Sequence, residues 1–219
     1  RMHKAGQKVL SNGGCGGINN TSIEEAVRNL KKAKSLYPPG DKYNYFNQNY
    51  TVLGLLIEYV SGISYQEYIK RNILNPLNMK NTYLNKEDIE DKVIKGYGAF
   101  FGFPVQREEE FKKHGLPSGY IVSTARDMSH YLIAQQKGRY QDKVILDKKY
   151  LNNMHSVEKG SRDYYAKGWY VGEKYGFKIV EHGGSLFNYS SNAVLIPEKN
   201  YGIIILINQN HLIYNLFAY

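Results

Sequence analysis

Two short stretches of the chain, Tyr45 to Asn47 and His182 to Ser185, carry side chains suited to proton transfer and to hydrogen bonding with a bound molecule. A free tyrosine titrates near about 10, so Tyr45 can act as a base at pH 7 only if its surroundings stabilise the phenolate by roughly 4 kcal/mol. His182 is mostly neutral at pH 7. The two glycines that follow it lack a Cβ atom, which would let an extended substrate backbone approach a strand edge closely.

Each stretch also has an ordinary interpretation. Tyr45 is one of 21 tyrosines, so its residue type alone does not distinguish it. His182 can equally be a histidine at the end of a strand, because successive glycines such as Gly183 and Gly184 commonly mark a turn. A Ser-x-x-Lys sequence, which can place a serine nucleophile and its lysine on one helix face, occurs at Ser156 to Lys159. We reject it, because it follows a predicted helix and leads into a glycine, a poor setting for a rigid nucleophile.

The elements that must position these residues are helices in the first part of the chain. Capping boxes, in which a Ser or Thr side chain and an acidic residue three positions later satisfy free amides at a helix start, begin at Ser22, Ser64 and Thr124. The first predicts a helix over about residues 22 to 34. A shorter helix is predicted over Asp147 to Met154. The clearest helix comes from apolar residues at helical spacing, which are Tyr50, Leu53, Ile57 and Val60.

After residue 164 the pattern changes to short β-rich runs separated by Gly, Pro or charged residues. The runs are Trp169 to Val171, Phe177 to Val180, Ala193 to Ile196 and Ile203 to Ile207. Pro197 to Asn200 has the composition of a tight hairpin turn between the last two. Helices followed by antiparallel strands, without an alternating βαβ pattern, predict an α+β fold class. Within one domain over 1–219 we expect an irregular lead-in over 1–20, a mainly helical lobe over 21–160, antiparallel strands over 164–208 and a tail over 209–219.

The bulk composition narrows the classes of function. The formal charge is +9, but the basic residues are spread along the chain, so we expect no nucleic-acid partner. The single cysteine, Cys15, excludes an internal disulfide. The six histidines show no spacing typical of a metal site, so we expect neither a metal nor a cofactor. No apolar run is long enough to cross a bilayer.

Several segments, in the order expected, match short sequence blocks of one family. They are Tyr43 to Tyr50, which precedes a Leu-Gly-rich helix at Leu53 to Leu55, then Asn75 to Met79, Gly119 to Asp127, His182 to Ser185, and the pair Leu195 to Glu198 and Ile205 to Asn208. Any one of these matches is weak, but together they are specific. The chain therefore resembles the penicillin-recognising serine hydrolases, which include class C β-lactamases, DD-peptidases and related esterases. The resemblance implies a β-lactamase/transpeptidase-like fold.

The resemblance also implies a chemistry and a role for each site residue. In this family a helix-borne serine attacks the carbonyl carbon of a β-lactam, peptide or ester and forms an acyl-enzyme, without a metal. By this resemblance Tyr45 is the catalytic base, and Asn47 is a hydrogen-bonding partner for the substrate or the lysine. His182 to Gly184 then line the substrate pocket from an edge strand, and the amide of Ser185 contributes to the oxyanion hole. The expected partner is a small-molecule or peptide substrate, and the expected location is extracytoplasmic or in the cell envelope.

The family carries its Ser-x-x-Lys upstream of the tyrosine, and this sequence has none before Tyr45. We therefore expect a C-terminal fragment of a longer enzyme, or a degenerate relative, that forms a partial domain and is inactive on its own. The alternative is a non-catalytic protein that retains the cleft to bind a cell-wall peptide. The family's first strands would also be missing. Their loss would expose an edge of the sheet over Phe177 to Ile207 and allow association with another chain.

Overall fold

A computed structural model of the chain describes residues 22–30, 34, 38, 44–89, 92–101, 103–108, 110–157 and 164–210. Helices and antiparallel sheets are both present, so the predicted α+β fold class is confirmed. The lead-in over 1–20, including Cys15, and the last nine residues of the predicted tail, 211–219, lie outside the described residues.

The described residues fall into two compact units. The first takes in the described residues within Arg1–Tyr68, Leu84–Lys86 and Glu110–Ile121, and the second those within Ile69–Tyr83, Glu87–Glu109 and Val122–Tyr219. Tyr45 and Asn47 belong to the first unit, and the His182 to Ser185 stretch belongs to the second.

The first unit is built on two helices, α1 (Ile23–Leu30) and α2 (Gln48–Ser61), together with the 3-10 turn Lys113–Gly115. The Ser22 hydroxyl accepts a hydrogen bond from the Glu25 amide at 3.1 Å, as the capping box at the start of α1 predicts. At the start of α2, the amides of Asn49 and Tyr50 each donate to the carbonyl three residues earlier at 3.0 Å. This turn directs the chain from the Tyr45 segment into the helix.

The apolar face of α2 is less buried than its spacing predicts. Leu53 and Val60, two of the four residues that define the pattern, are 50% and 76% exposed. The buried positions of α2 are the small residues Thr51 and Gly54. A Cβ atom at Gly54 would lie 2.4 Å from the Cγ of Pro117, so the helix packs here through its glycine rather than through large aliphatic side chains.

The helix predicted from Ser64 is present as α3 (Tyr65–Ile69), which continues as a π-helical turn over Lys70–Leu74. The Ser64 hydroxyl accepts from the Glu67 amide at 3.2 Å. The first amide of α3 donates to the side chain of Glu58 at 2.8 Å, so the end of α2 helps to cap the next helix.

Among the described residues, two further helices and the strands belong to the second unit. In chain order they are β1 (Gly96–Phe100), β2 (Phe103–Arg107), α4 (Ala125–Lys137), β3 (Arg139–Tyr140), β4 (Lys143–Val144), α5 (Lys148–Met154), β5 (Tyr170–Lys174), β6 (Phe177–Ser185), β7 (Ser190–Ile196), β8 (Tyr201–Ile207) and β9 (Gln209–Asn210). The four strands predicted after residue 164 are present as β5 to β8, and they form one antiparallel sheet in the order β5-β6-β7-β8.

Helix α4 covers one face of this sheet and closes the core of the second unit. The buried core residues are Leu132, Trp169, Val180, Ala193 and Leu195. The turn predicted at Pro197 to Asn200 is a 3-10 turn over Pro197–Lys199, and Asn200 follows it with a left-handed φ of 55°. Asparagine tolerates this conformation better than most residues, which fits its place at the turn between β7 and β8.

The hairpin of β1 and β2 was not predicted from the sequence. It is antiparallel, and two residues of β9 pair in parallel with β1. Residues Gln209 and Asn210, which the sequence analysis assigns to the tail, are therefore part of a sheet. The Phe100 and Phe101 rings form a T-shaped pair at 4.7 Å near the tip of the hairpin, and both are exposed.

The capping box predicted at Thr124 forms only in part. The Thr124 hydroxyl accepts from the Asp127 amide at 3.2 Å, as predicted. The Asp127 carboxylate does not return to the helix start. It accepts from the amide of Asn81 at 2.7 Å and from the hydroxyl of Thr82 at 2.8 Å. A buried carboxylate needs strong donors, and this distant segment of the chain supplies two of them.

Candidate active site

Tyr45 and Asn47 lie at the start of α2, in the first unit. Tyr45 is in the irregular segment just before the helix, and its side chain is 41% exposed. Asn47 occupies the N-cap position with φ of −55° and ψ of −34°, and within the described residues its side chain makes no capping bond. The exposed side-chain amide of Asn47 therefore does not cap the N-terminus of α2.

His182 to Ser185 form the last four residues of β6, so the interpretation of this stretch as a turn is wrong. The resemblance places it on an edge strand, whereas β6 lies between β5 and β7. Strand β5, however, pairs with β6 only as far as Glu181, and β7 pairs with β6 through Ser185. Within the described part of the chain, no strand pairs with the β5 side of these four residues. The stretch is thus a local edge on an interior strand, where an extended backbone could bind.

Both ring nitrogens of His182 have hydrogen-bonding partners. Nδ1 lies 2.7 Å from the carbonyl oxygen of Gly183, and Nε2 lies 3.1 Å from the hydroxyl oxygen of Tyr165. Burial lowers the pKa of His182 below its ordinary value, and the hydrogen bond to the Gly183 carbonyl acts in the opposite direction. The imidazole is therefore neutral at pH 7.

The residues that follow His182 are partly exposed to solvent and also pack against neighbouring strands. A Cβ atom at Gly184 would lie 2.6 Å from the hydroxyl oxygen of Ser191 on β7. Close packing against β7 is therefore a second reason for a glycine here, in addition to the approach of a substrate. The Ser185 hydroxyl accepts from the side-chain amide of Asn210 at 2.9 Å, and the same nitrogen donates to the carbonyl of Leu186. Asn210 therefore links β9 to the end of β6. The backbone amide of Ser185 is the group that the resemblance assigns to the oxyanion hole.

The structure agrees with rejecting Ser156 as a nucleophile. Helix α5 ends at Met154, and the Ser156 hydroxyl donates to the carbonyl of Asn153 at 2.9 Å. Ser156 thus lies beyond the end of α5, and its hydroxyl is bonded back to that helix. Lys159 itself lies outside the described residues.

Within the described ranges, no group of three His, Cys, Asp or Glu side chains is arranged to hold a metal ion. In that same part of the chain, no helix combines the length and the apolar character needed to span a membrane.

Two neighbours of the site escaped the sequence analysis. Tyr165 lies in a segment before β5 that has no helical or strand period, so only its contact with His182 reveals it. Asn210 lies in the stretch assigned to the tail, and its role depends on the pairing of β9 with β1 about 110 residues away in the chain. No local pattern signals a partner at that separation.

The α+β fold, its antiparallel sheet and the His-Gly-Gly-Ser end of β6 together define a domain of the penicillin-recognising hydrolase type. The Beta-lactamase family model matches residues 3–214, and the chain belongs to this family.

The relatives and solved structures similar to the chain agree with this assignment. Protein flp of Staphylococcus aureus strain NCTC 8325 is 31% identical over 192 residues, which is 87% of this chain and 38% of flp. The octameric penicillin-binding protein homologue from Pyrococcus abyssi is 27% identical with a TM-score of 0.77, over 95% of this chain and 48% of that chain. A D-stereospecific amidohydrolase from Streptomyces, 21% identical over 87% of this chain and 58% of its own, shares the fold with a TM-score of 0.74.

The chain thus spans less than half the length of flp and of the Pyrococcus protein. The family match and these neighbours indicate that the chain belongs to a family of serine-hydrolase-like proteins.

Proposed function

We propose that the natural protein containing this chain is a serine hydrolase that acts on a β-lactam, a peptide amide or an ester through an acyl-enzyme. The observation that carries the proposal is the match of the Beta-lactamase family over residues 3–214. The neighbours described as a penicillin-binding protein homologue and a D-stereospecific amidohydrolase fit the same substrate classes. On the same grounds we propose an extracytoplasmic or cell-envelope location.

Each site residue has a proposed role in this chemistry. Tyr45 takes the proton from the nucleophile and later gives it to the leaving group, and Asn47 bonds the substrate or the catalytic lysine. His182 and the glycines after it line the pocket. The amide of Ser185 donates to the oxyanion that develops on the substrate carbonyl. In the described part of the chain no strand pairs with the β5 side of β6 at Gly183 to Ser185. This supports the last two roles, because an acyl group with an extended backbone needs a strand edge that another strand does not cover.

The nucleophile is the part that this sequence does not supply. It contains no Ser-x-x-Lys before Tyr45, so we propose that these 219 residues do not turn over a substrate alone and that the serine comes from outside them. An oxyanion hole and a base have nothing to act on without that serine. Reading the coding sequence upstream of Arg1 tests this directly, since an in-frame Ser-x-x-Lys is expected there.

The activity is tested by incubating the natural protein with a fluorescent penicillin and a chromogenic ester. We expect a covalent penicillin adduct or ester turnover, with the label mapped by mass spectrometry to a serine followed three residues later by a lysine. Tyr45→Phe should slow acylation by about 10²-fold or more, because it removes the proton acceptor. Tyr59→Phe, at a largely exposed position on α2, is the matched control and should leave the rate unchanged. Equal acylation in both variants would contradict the role of Tyr45.

A second candidate is a non-catalytic protein that binds a cell-wall peptide in the retained cleft. The absence of Ser-x-x-Lys before Tyr45 favours it. This candidate predicts that the natural protein binds a D-alanyl-D-alanine peptide in calorimetry while forming no adduct and hydrolysing neither probe. Turnover that is lost on replacing the mapped serine would exclude it.

A further inference from the structure

Three aromatic rings of the second unit meet at the start of the His182 stretch. The Tyr165 and Tyr170 rings form a T-shaped pair with centroids 4.7 Å apart. The His182 ring lies 5.6 Å from Tyr170 and 5.8 Å from Tyr165. Two tyrosine rings thus contact the imidazole of His182 from different directions. This packing alone restricts the rotation of the imidazole ring.

The hydrogen bonds of His182 fix its tautomer. A carbonyl oxygen can only accept, so the 2.7 Å contact with the Gly183 carbonyl requires the proton on Nδ1. A neutral imidazole has a single N–H, so Nε2 must be an acceptor. The Tyr165 hydroxyl, 3.1 Å away, therefore donates to Nε2. The lone pair that a histidine would use as a base is occupied by this donor.

Three of the four charged side chains on β5 and β6 have partners other than His182 in the described part of the chain. Glu181 and Lys174 form a salt bridge at 2.8 Å, Lys178 donates to the His155 carbonyl, and Lys167 donates to the Asn153 carbonyl. The remaining charged residue on β5 and β6 is Glu173 on β5, and β7 has none. Burial is the main cause of the lowered pKa of the imidazole, and its two hydrogen bonds decide which ring nitrogen carries the proton.

We propose that Tyr165 is a positioning residue that holds His182 in one orientation and as the Nδ1–H tautomer, so that His182 does not act as the proton acceptor of the site. The inference rests on the proposed function only in treating His182 as part of the substrate pocket. It leaves proton transfer to Tyr45 and gives His182 the task of presenting a neutral, fixed wall to the substrate.

The test is ¹⁵N NMR of the imidazole nitrogens in the labelled natural protein. The His182 signals are assigned by their loss in a His182→Gln variant. At pH 7 we expect a protonated Nδ1 and an unprotonated Nε2. A protonated Nε2 with a bare Nδ1 would overturn the proposal, and this result needs no variant at Tyr165.

Tyr165→Phe removes the donor and keeps the ring. Because a hydrogen bond to the neutral form disfavours protonation, its loss should raise the pKa of His182 by about 1 unit. Tyr175→Phe, at an exposed position in the turn between β5 and β6, is the matched control and should not move the pKa. An unchanged titration of His182 in Tyr165→Phe would also overturn the proposal.

Kinetics separate this inference from the proposed function. If the natural protein hydrolyses an ester, the acid limb of its kcat/KM profile should shift upward in Tyr165→Phe by the same amount as the NMR titration. If the expected tautomer and titration shift are found and neither hydrolysis nor an adduct occurs, the positioning role of Tyr165 stands and the proposed hydrolase activity fails.

Discussion

The hydroxyl of Thr82 donates to the carboxylate of Asp127 at 2.8 Å, across 45 positions of the sequence. Asp127 is only 2% exposed, and the same oxygen accepts from the Asn81 amide at 2.7 Å. One buried carboxylate thus fixes the segment around Thr82 to the first turn of α4, which in turn covers the sheet that carries His182. The helix start and a distant loop are held by a single acceptor.

Replacing the Asp127 carboxylate should destabilise the protein. Asp127→Ala leaves the Asn81 amide and the Thr82 hydroxyl without their buried acceptor, so the free energy of unfolding should fall by about 2 to 3 kcal/mol. Thr82→Val keeps the shape and removes one donor to Asp127, together with the contact of the Thr82 hydroxyl with the Ser123 hydroxyl at 2.8 Å, and it should cost about 1 kcal/mol. Urea denaturation of the natural protein followed by circular dichroism measures both. A loss in Asp127→Ala no larger than that in Thr82→Val would show that the carboxylate holds nothing beyond the hydroxyl.

Gly54 is expected to be required by packing, although alanine is the better helix former. In α2 an alanine would gain about 1 kcal/mol from helix propensity. Its Cβ would lie 2.4 Å from the Cγ of Pro117, and overpacking of this kind costs about 1 to 3 kcal/mol. Gly54→Ala should therefore lower the free energy of unfolding. In the double variant with Pro117→Ala the clash is relieved, so a coupling of about 1 kcal/mol is expected in the double-mutant cycle. Strict additivity would contradict this account.

Gly184 allows packing and substrate approach to be separated. Gly184→Ala should destabilise the protein by about 1 kcal/mol, because its Cβ meets the Ser191 hydroxyl at 2.6 Å. Adding Ser191→Ala removes that oxygen and should restore stability in thermal denaturation. If a substrate backbone approaches β6 at this point, acylation by the fluorescent penicillin should remain slow in the stable double variant. Recovery of both stability and acylation would show that the glycine is needed only for packing.

Several features of the fold follow from local sequence, since their causes are local. The caps at Ser22 and Ser64, the presence of strands β5 to β8 and the turn at Asn200 each depend on a few neighbouring residues. The β1–β2 hairpin was missed because Gly96, Gly98 and Pro104 are poor strand formers. Proline is tolerated there because β2 lies at the edge of its sheet.

What the sequence could not predict depends on distant partners. The periodicity of α2 indicated a buried apolar face, but the contact with Pro117 is made at a glycine, and Leu53 remains half exposed. The motif containing Asp127 indicated a local cap, but the buried carboxylate accepts from the Asn81 amide and the Thr82 hydroxyl, which are distant in the sequence. In the same way, the sequence pointed to His182 as a candidate site residue, and only the structure reveals its partner Tyr165.

His155 should make the stability of the protein depend on pH. It is 7% exposed, and its Nε2 lies 3.0 Å from the side-chain oxygen of Gln135. Burial and, to a smaller extent, the charge of Lys178, which bonds the His155 carbonyl, together lower the pKa of His155 to about 4. Between about pH 6.5 and pH 4 the unfolded chain therefore binds a proton at this residue that the native protein does not. The free energy of unfolding should decrease as the pH falls through this range, by up to about 3 kcal/mol from His155 alone.

Chemical denaturation at several pH values between 4 and 7.5 measures this effect in wild type and in His155→Gln. The variant keeps a side chain that can donate to Gln135 and cannot be protonated, so its stability should fall less on acidification. His114 and His182, whose pKa values are also lowered by burial, are present in both proteins and cancel in the comparison. Lys178→Met removes the neighbouring charge and should give a pH dependence intermediate between the two. Identical pH dependence in all three proteins would mean that His155 is already solvated in the native state.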